Sequence, residues 1–315
     1  PEVAAMAKNY TGAELEGLVR AASSFAFSRV VDIKNLKQVD EKSVVVQFED
    51  FVKAINETVP AFGNKDAEEI RSYCRNGVIN WGPRFNEFQN TLVKLIQQAK
   101  TSRWAHLMSV MVWGDGSTGK TALAAKLCAD SGYPFVRMIS ADSMIGMNES
   151  QKCASIFKTF SDAYKSPLSV IFIDDLERII EYSPVGPRFS NTVLQTILVL
   201  LRKIPPNENA RLLNVVTTSV HSSLEVLVND LDDTFTMSLE VPKLEQDAEV
   251  SAFLVEASQG MLSSRDAMDV AQTCPKPIGA KRLLMALELS RVGDDGDGDA
   301  ASIDKEELIN NLVRL

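Results

Sequence analysis

The sequence predicts an α/β fold in which a parallel-sheet core lies between two helical units. Three observations predict it. From Met108 onward, apolar runs of strand length alternate with helical patterns, and uninterrupted apolar strands between helices indicate a parallel sheet covered on both faces. A glycine-rich stretch, GDGSTGKT, separates the first such strand from the first such helix. After Pro242 every periodic segment reads as helix.

The amino-terminal unit comes first. Residues 11–31, TGAELEGLVRAASSFAFSRVV, form a helix that Thr11 caps while Glu14 answers three residues on. Leu15, Leu18, Val19 and Ala22 recur there at helical spacing. VVVQFEDFVKAINETV is expected to run from a strand-like stub into a second helix, and Pro60 and Gly63 end the block. Residues 1–62 are thus a small helical unit. Residues 63–105 are a linker with a turn at NGVINWGPR and an amphipathic helix at FNEFQNTLVKLIQQAK.

The core, residues 106–243, then alternates. The strand LMSVMVWG leads to the helix TALAAKLCADSG, closed by Gly132, and to the strand FVRMIS. A helix near SQKCASIFKTFSDAYKS, the strand SVIFIDD, the helix NTVLQTILVLLRKI and the strand LLNVVTTS follow. Residues 244–315 hold four helices: DAEVSAFLVEAS, SRDAMDVAQTC, GAKRLLMALELSRV and DKEELINNLVRL. Between the last two, GDDGDGDAAS is too polar and flexible to pack, and it lacks the spacing and closing glutamate of an EF-hand calcium loop.

Composition excludes several classes. With 315 residues, 45% of them hydrophobic, the chain has room for more than one core. A net charge of −9 argues against nucleic acid as the main partner, because phosphate backbones are held by clustered Lys and Arg. Cys74, Cys128, Cys153 and Cys274 lie far apart, which points to reduced thiols rather than disulfides or a zinc site. No apolar run approaches the roughly 20 residues that cross a bilayer. The opening PEVAAMAKNYTGAEL carries no signal-peptide pattern and is expected to continue a longer intracellular chain.

GDGSTGKT fits G-x-x-x-x-G-K-[ST], and it stands where the motif's chemistry needs it, between a strand and a helix start. Free N–H groups at the helix start and a glycine-rich turn together cradle anions. The nucleotide-binding candidates are therefore Gly114, Gly116, Ser117, Thr118, Gly119, Lys120, Thr121 and Ala122. Lys120 reaches the β- and γ-phosphates, and the Thr121 hydroxyl helps bind Mg2+. Asp174, the first acid after the strand SVIFI, is the second metal candidate, and Asp175 is the candidate for polarising the attacking water. A GTPase is not expected, because GNKDA at 63–67 precedes the loop instead of following it.

These residues carry a family resemblance. VWGDGSTGKTALAAKLC, SVIFIDDLERIIEYSPVGPRFSNTVLQTILVLLRKIPP and IGAKRLLMALELS resemble the second ATPase ring of the N-ethylmaleimide-sensitive fusion ATPases, which are AAA+ proteins. YTGAELEGLVRAA is similar to the helical lid that ends their first ring, and VPAFG closes that lid. The resemblance implies an AAA+ core with a C-terminal lid at 244–315, preceded by the lid of an upstream ATPase domain at 1–62. Gly12 and Ala13 then stand at that upstream lid's nucleotide-facing helix start, and the chain holds one complete nucleotide site. It also implies ATP and Mg2+ as cofactors, a cytoplasmic homo-hexamer that meets membranes through its partners, and SNARE complexes as substrates, recruited by an adaptor through an amino-terminal region outside this chain.

The resemblance places adenine against GVINWG, so Val78, Ile79 and Asn80 become pocket candidates; the apolar pair suits ordinary core packing equally well. It places the lid's phosphate sensor at Lys281, with Gly279 allowing a tight helix start, and it sends Arg202 towards a neighbouring subunit's nucleotide, although a solvated arginine explains that position too. Two departures from the general AAA+ pattern concern hydrolysis. Thr218 and Ser219 stand where active members carry a water-orienting asparagine, and NDLDDTFTMSLEVP has no arginine where arginine fingers are expected. A finger is worth about 10³–10⁵ in rate. With Asp175 in place of glutamate, these imply a module that holds ATP, hydrolyses it slowly and maintains the hexamer. The competing reading is an actively hydrolysing motor of a tandem-ring unfoldase.

Overall fold

The computed structural model describes residues 2–7, 10–30, 45–58, 65–75, 77–102, 105–185, 188–227, 231–292 and 302–314. Its first unit consists of α1 (Glu2–Met6), α2 (Gly12–Val30) and α3 (Phe48–Glu57). The Thr11–Glu14 capping box forms: the Thr11 N–H donates to the Glu14 carboxylate at 2.7 Å, and the Glu14 N–H donates back to the Thr11 hydroxyl at 3.3 Å. Leu18, Ala22 and Ala54 make a small separate core with Tyr10, Phe25, Phe51 and Ile55 around it. Leu15 and Val19 share the helical spacing but not the face. The helix buries its Leu18–Ala22–Ala26 line, so Leu15 and Val19 stay 41% and 52% exposed.

Residues 45–47 form no strand; they lead straight into α3, where Gln47 and Asp50 close a capping box. Val44, Pro60 and Gly63 lie outside the described residues. Part of the expected linker is helical: α4 (Lys65–Ser72) packs through fully buried Ile70. Gly82 and Pro83 then open α5 (Pro83–Thr101), whose Phe85, Phe88, Leu92, Leu95 and Ile96 are buried.

The core runs β1 (Leu107–Trp113), α6 (Lys120–Asp130), β2 (Phe135–Ile139), α7 (Glu149–Ala163), β3 (Leu168–Ile173), α8 (Leu176–Ile179), α9 (Asn191–Arg202), β4 (Arg211–Thr218), α10 (His221–Leu227), α11 (Leu231–Thr234) and β5 (Met237–Glu240). All five strands are parallel, in the order β2-β3-β4-β1-β5. One apolar cluster joins α5, α6 and the lid to one face of the sheet; a second joins α7 and α9 to the other. Because β1 sits between β4 and β5, the chain leaves it in the opposite lateral direction from that in which it later returns. Ligands in open α/β sheets bind at the carboxyl ends of strands beside such a reversal. The pairings Trp113↔Thr218 and Ile173↔Val216 bring the ends of β1, β3 and β4 nearly level there.

The lid comprises α12 (Asp247–Ala257), α13 (Ser264–Thr273), α14 (Ala280–Leu289), a two-stranded antiparallel pair β6 (Arg291–Val292) and β7 (Ser302–Ile303), and α15 (Lys305–Arg314). Residues 293–301, most of GDDGDGDAAS, lie outside the described residues. Among the described residues, no helix is long and apolar enough to cross a membrane.

Candidate nucleotide site

The phosphate loop is held from behind. Gly114 has φ +154°, and a Cβ there would stand 2.7 Å from the Val241 carbonyl oxygen, so this position needs glycine. Ser117 and Gly119 also take positive φ, at 71° and 90°, turning the chain into the start of α6. The first N–H groups of α6 have no intrahelical partner and carry the positive end of the helix dipole. The Thr118 hydroxyl and the Lys120 ammonium both donate to the Asp115 carbonyl, at 3.0 and 2.8 Å. Burial pushes the Lys120 ammonium below the usual lysine range, opposed by the nearby acids Glu177 and Asp175.

In front of this loop lies a cavity of about 670 Å³, within the range of small-molecule sites. Of the expected residues, Val78, Ile79, residues 116–122, Asp175, Ser219 and Lys281 line it. Trp81, Phe85, Phe253 and Leu284 extend its apolar end, and Tyr73, Arg75 and Arg178 also face it. Five of the expected residues stand elsewhere, among them Asp174, which follows β3 and does not line the cavity. Asn80 lies off the wall: its amide donates to Asn86 at 2.7 Å and its side-chain oxygen accepts from the Gly82 N–H at 3.1 Å, so it shapes the turn before α5. Gly114 and Gly279 back the loop rather than line the cavity, and Arg202 ends α9 outside it.

The sheet delivers the acids. The Thr217 hydroxyl donates to Asp174 Oδ1 at 2.7 Å and accepts from the Asp175 N–H at 2.9 Å. Burial raises the Asp174 carboxyl above its ordinary range, opposed by hydrogen bonds from Thr217 and Thr121. Thr121 and Asp174 thus bring a hydroxyl and a carboxylate together, a donor pair that fits Mg2+, which completes its shell with waters and phosphate oxygens. Among the described residues there is no group of three or more His, Cys, Asp or Glu that could hold a metal ion.

Asp175 takes φ 48°, and its carboxylate pairs with Arg178 Nε at 3.1 Å. Burial and the neighbouring Glu177 raise its carboxyl, against Arg178 and Lys120. Glu177 in turn accepts from the Thr218 hydroxyl at 2.8 Å and the Ser219 N–H at 3.0 Å. Thr217, Glu177 and Arg178 were not among the expected residues. The run of hydroxyls that ends LLNVVTTS was the available signal.

The lid is fastened to the same loop. The Lys281 N–H donates to the Ser117 carbonyl at 2.9 Å. Gly279 approaches that carbonyl so closely that a Cβ would sit 2.7 Å from it. Leu244 and Ile278 exchange main-chain hydrogen bonds of 3.0 Å, tying the core-to-lid connector to the start of α14. Lys281 itself lines the cavity.

Comparison with known proteins gives a family match over residues 110–243, to the ATPase family associated with various cellular activities (AAA). The chain is 40% identical over 286 residues to a vesicle-fusing ATPase of Dictyostelium discoideum, covering 90% of this chain and 38% of that protein. It is 39% identical over 311 residues to a vesicle-fusing ATPase of Arabidopsis thaliana, covering 98% and 41%. It is 36% identical over 301 residues to the vesicular-fusion protein SEC18 of Saccharomyces cerevisiae, covering 93% and 39%. The chain spans about two fifths of the length of these relatives.

Proposed function

We propose, since this chain belongs to the AAA family of ATPases, that it binds ATP with Mg2+, hydrolyses it slowly, and so holds together a hexamer that disassembles SNARE complexes during vesicle fusion. One observation carries the reading: a complete phosphate-binding apparatus opens on a cavity whose hydrolytic side is depleted. Lys120 and the amino end of α6 meet the phosphates. Thr121 and Asp174 hold Mg2+, which neutralises phosphate charge when bound. Val78, Ile79, Trp81 and Phe253 offer an apolar wall to the base. On the hydrolytic side, Ser219 lines the cavity where the family resemblance leads one to expect a water-orienting amide, and Asp175 is already paired with Arg178. Lys281 reaches from the lid into the cavity, which couples nucleotide to lid position.

Lys120→Ala is expected to abolish MgATP binding and to dissociate the oligomer, read by nucleotide titration and by size-exclusion chromatography with light scattering. A stable nucleotide-free hexamer from that variant would overturn the assembly role. Phosphate release at about 1 per second or more, the lower end of ordinary enzyme turnover, would favour the motor reading instead.

A further inference from the structure

We infer that Lys243 is a positioning residue of the phosphate loop: it neutralises Asp115, a carboxylate standing inside the loop, and so lets a polyphosphate settle there. The inference rests on the ATP-binding reading above. Asp115 is the one acidic residue of GDGSTGKT, a segment whose whole chemistry is the reception of anions. Its carbonyl already gathers Thr118 and Lys120. Its side chain, 67% exposed, faces a cleft behind the loop and not the cavity in front of it, so its charge acts on the phosphate site across the loop. Lys243 Nζ meets that carboxylate at 2.5 Å.

The cation is placed by main chain on both sides. Two residues before it, the Val241 N–H donates to the Trp113 carbonyl at 2.7 Å, and the Val241 carbonyl rests against Gly114. One residue after it, Leu244 pairs with Ile278 of the lid. Lys243 is therefore presented to the loop from the connector between core and lid, and a cleft lined by Asp115, Lys243, Gly279 and Arg282 lies behind the loop at this junction. An ion pair this exposed adds little to folding. Its effect lies in the local field: Asp115 also acts on Lys120, and without Lys243 its charge would oppose triphosphate more strongly than diphosphate and leave an uncharged nucleoside untouched.

The test is a set of titrations on the whole chain, using MgATP, MgADP and adenosine as probes against Lys243→Ala, Lys243→Arg, Asp115→Asn and the double variant Asp115→Asn/Lys243→Ala. Lys243→Ala is expected to weaken MgATP about tenfold at low salt and MgADP, which carries one negative charge fewer, less, with the gap narrowing as salt screens the field. Adenosine affinity should not change, and Lys243→Arg should bind MgATP like the unsubstituted chain. The double variant should return to within about twofold of Asp115→Asn, since removing the carboxylate removes the need for its partner. The inference is overturned if Lys243→Ala binds MgATP normally, if it loses adenosine to the same degree, or if Asp115→Asn fails to restore binding. If the unsubstituted chain binds no MgATP, the ATP-binding reading falls and takes this inference with it.

Discussion

At Asp175 two constraints meet that a change of side-chain length does not relieve. The backbone takes φ 48° with its N–H tied to Thr217, and the carboxylate is held by Arg178. Asp175→Glu alone should therefore raise phosphate release by less than about tenfold, short of the roughly 10²-fold at the low end of what a well-placed general base supplies, because Ser219 and the arginine-free segment are unchanged. Rapid steady-state release by that single variant would contradict this. Cys128 offers a second check at this scale. It is 1% exposed and burial pushes its thiol far up, so it should escape alkylation by iodoacetamide in the folded chain and react only on unfolding. Lys120 and Thr121 were legible because motif spacing places them on one strand–loop–helix unit, and Asp174 because it is the first acid after the apolar strand β3. Thr217 and Glu177 were not, because their partners lie about forty residues away and only the register of β3 against β4 brings them together.

Among the elements, the long apolar strands and the amphipathic helices announced themselves, whereas α4, with a single buried isoleucine in KDAEEIRS, left no periodic pattern to read. The four-residue β5, half exposed along its length, is too short to register as a strand. Caps make the helices testable singly. Ser190 caps α9 by accepting from the Val193 N–H at 3.3 Å, so Ser190→Ala should cost about 1 kcal/mol in denaturant unfolding. Gly279→Ala acts differently, since its new methyl would meet a backbone carbonyl that cannot turn aside. The helix α14 must then shift off the phosphate loop, and MgATP affinity should fall together with the melting temperature. A variant that melted normally and bound normally would show that the lid does not need this close approach.

For the molecule as a whole, the sheet is buried between two apolar clusters, while α2 and α3 form a small separate core around Leu18, Ala22 and Ala54. Deleting residues 1–62 should therefore leave MgATP affinity and the main unfolding transition nearly unchanged, as calorimetry and titration can show. The order of elements, helices before and after a run of alternating strands and helices, was visible in where the apolar rhythm changes period. How the lid is attached was not, because main-chain pairing leaves no trace in side-chain composition. That attachment has a kinetic corollary. The Leu244–Ile278 pair closes α12 and α13 into a loop fastened at its neck, so this half of the lid cannot fray outward from the connector one residue at a time. Its amides should exchange with solvent as one cooperative block, at a rate set by the opening of that single clasp.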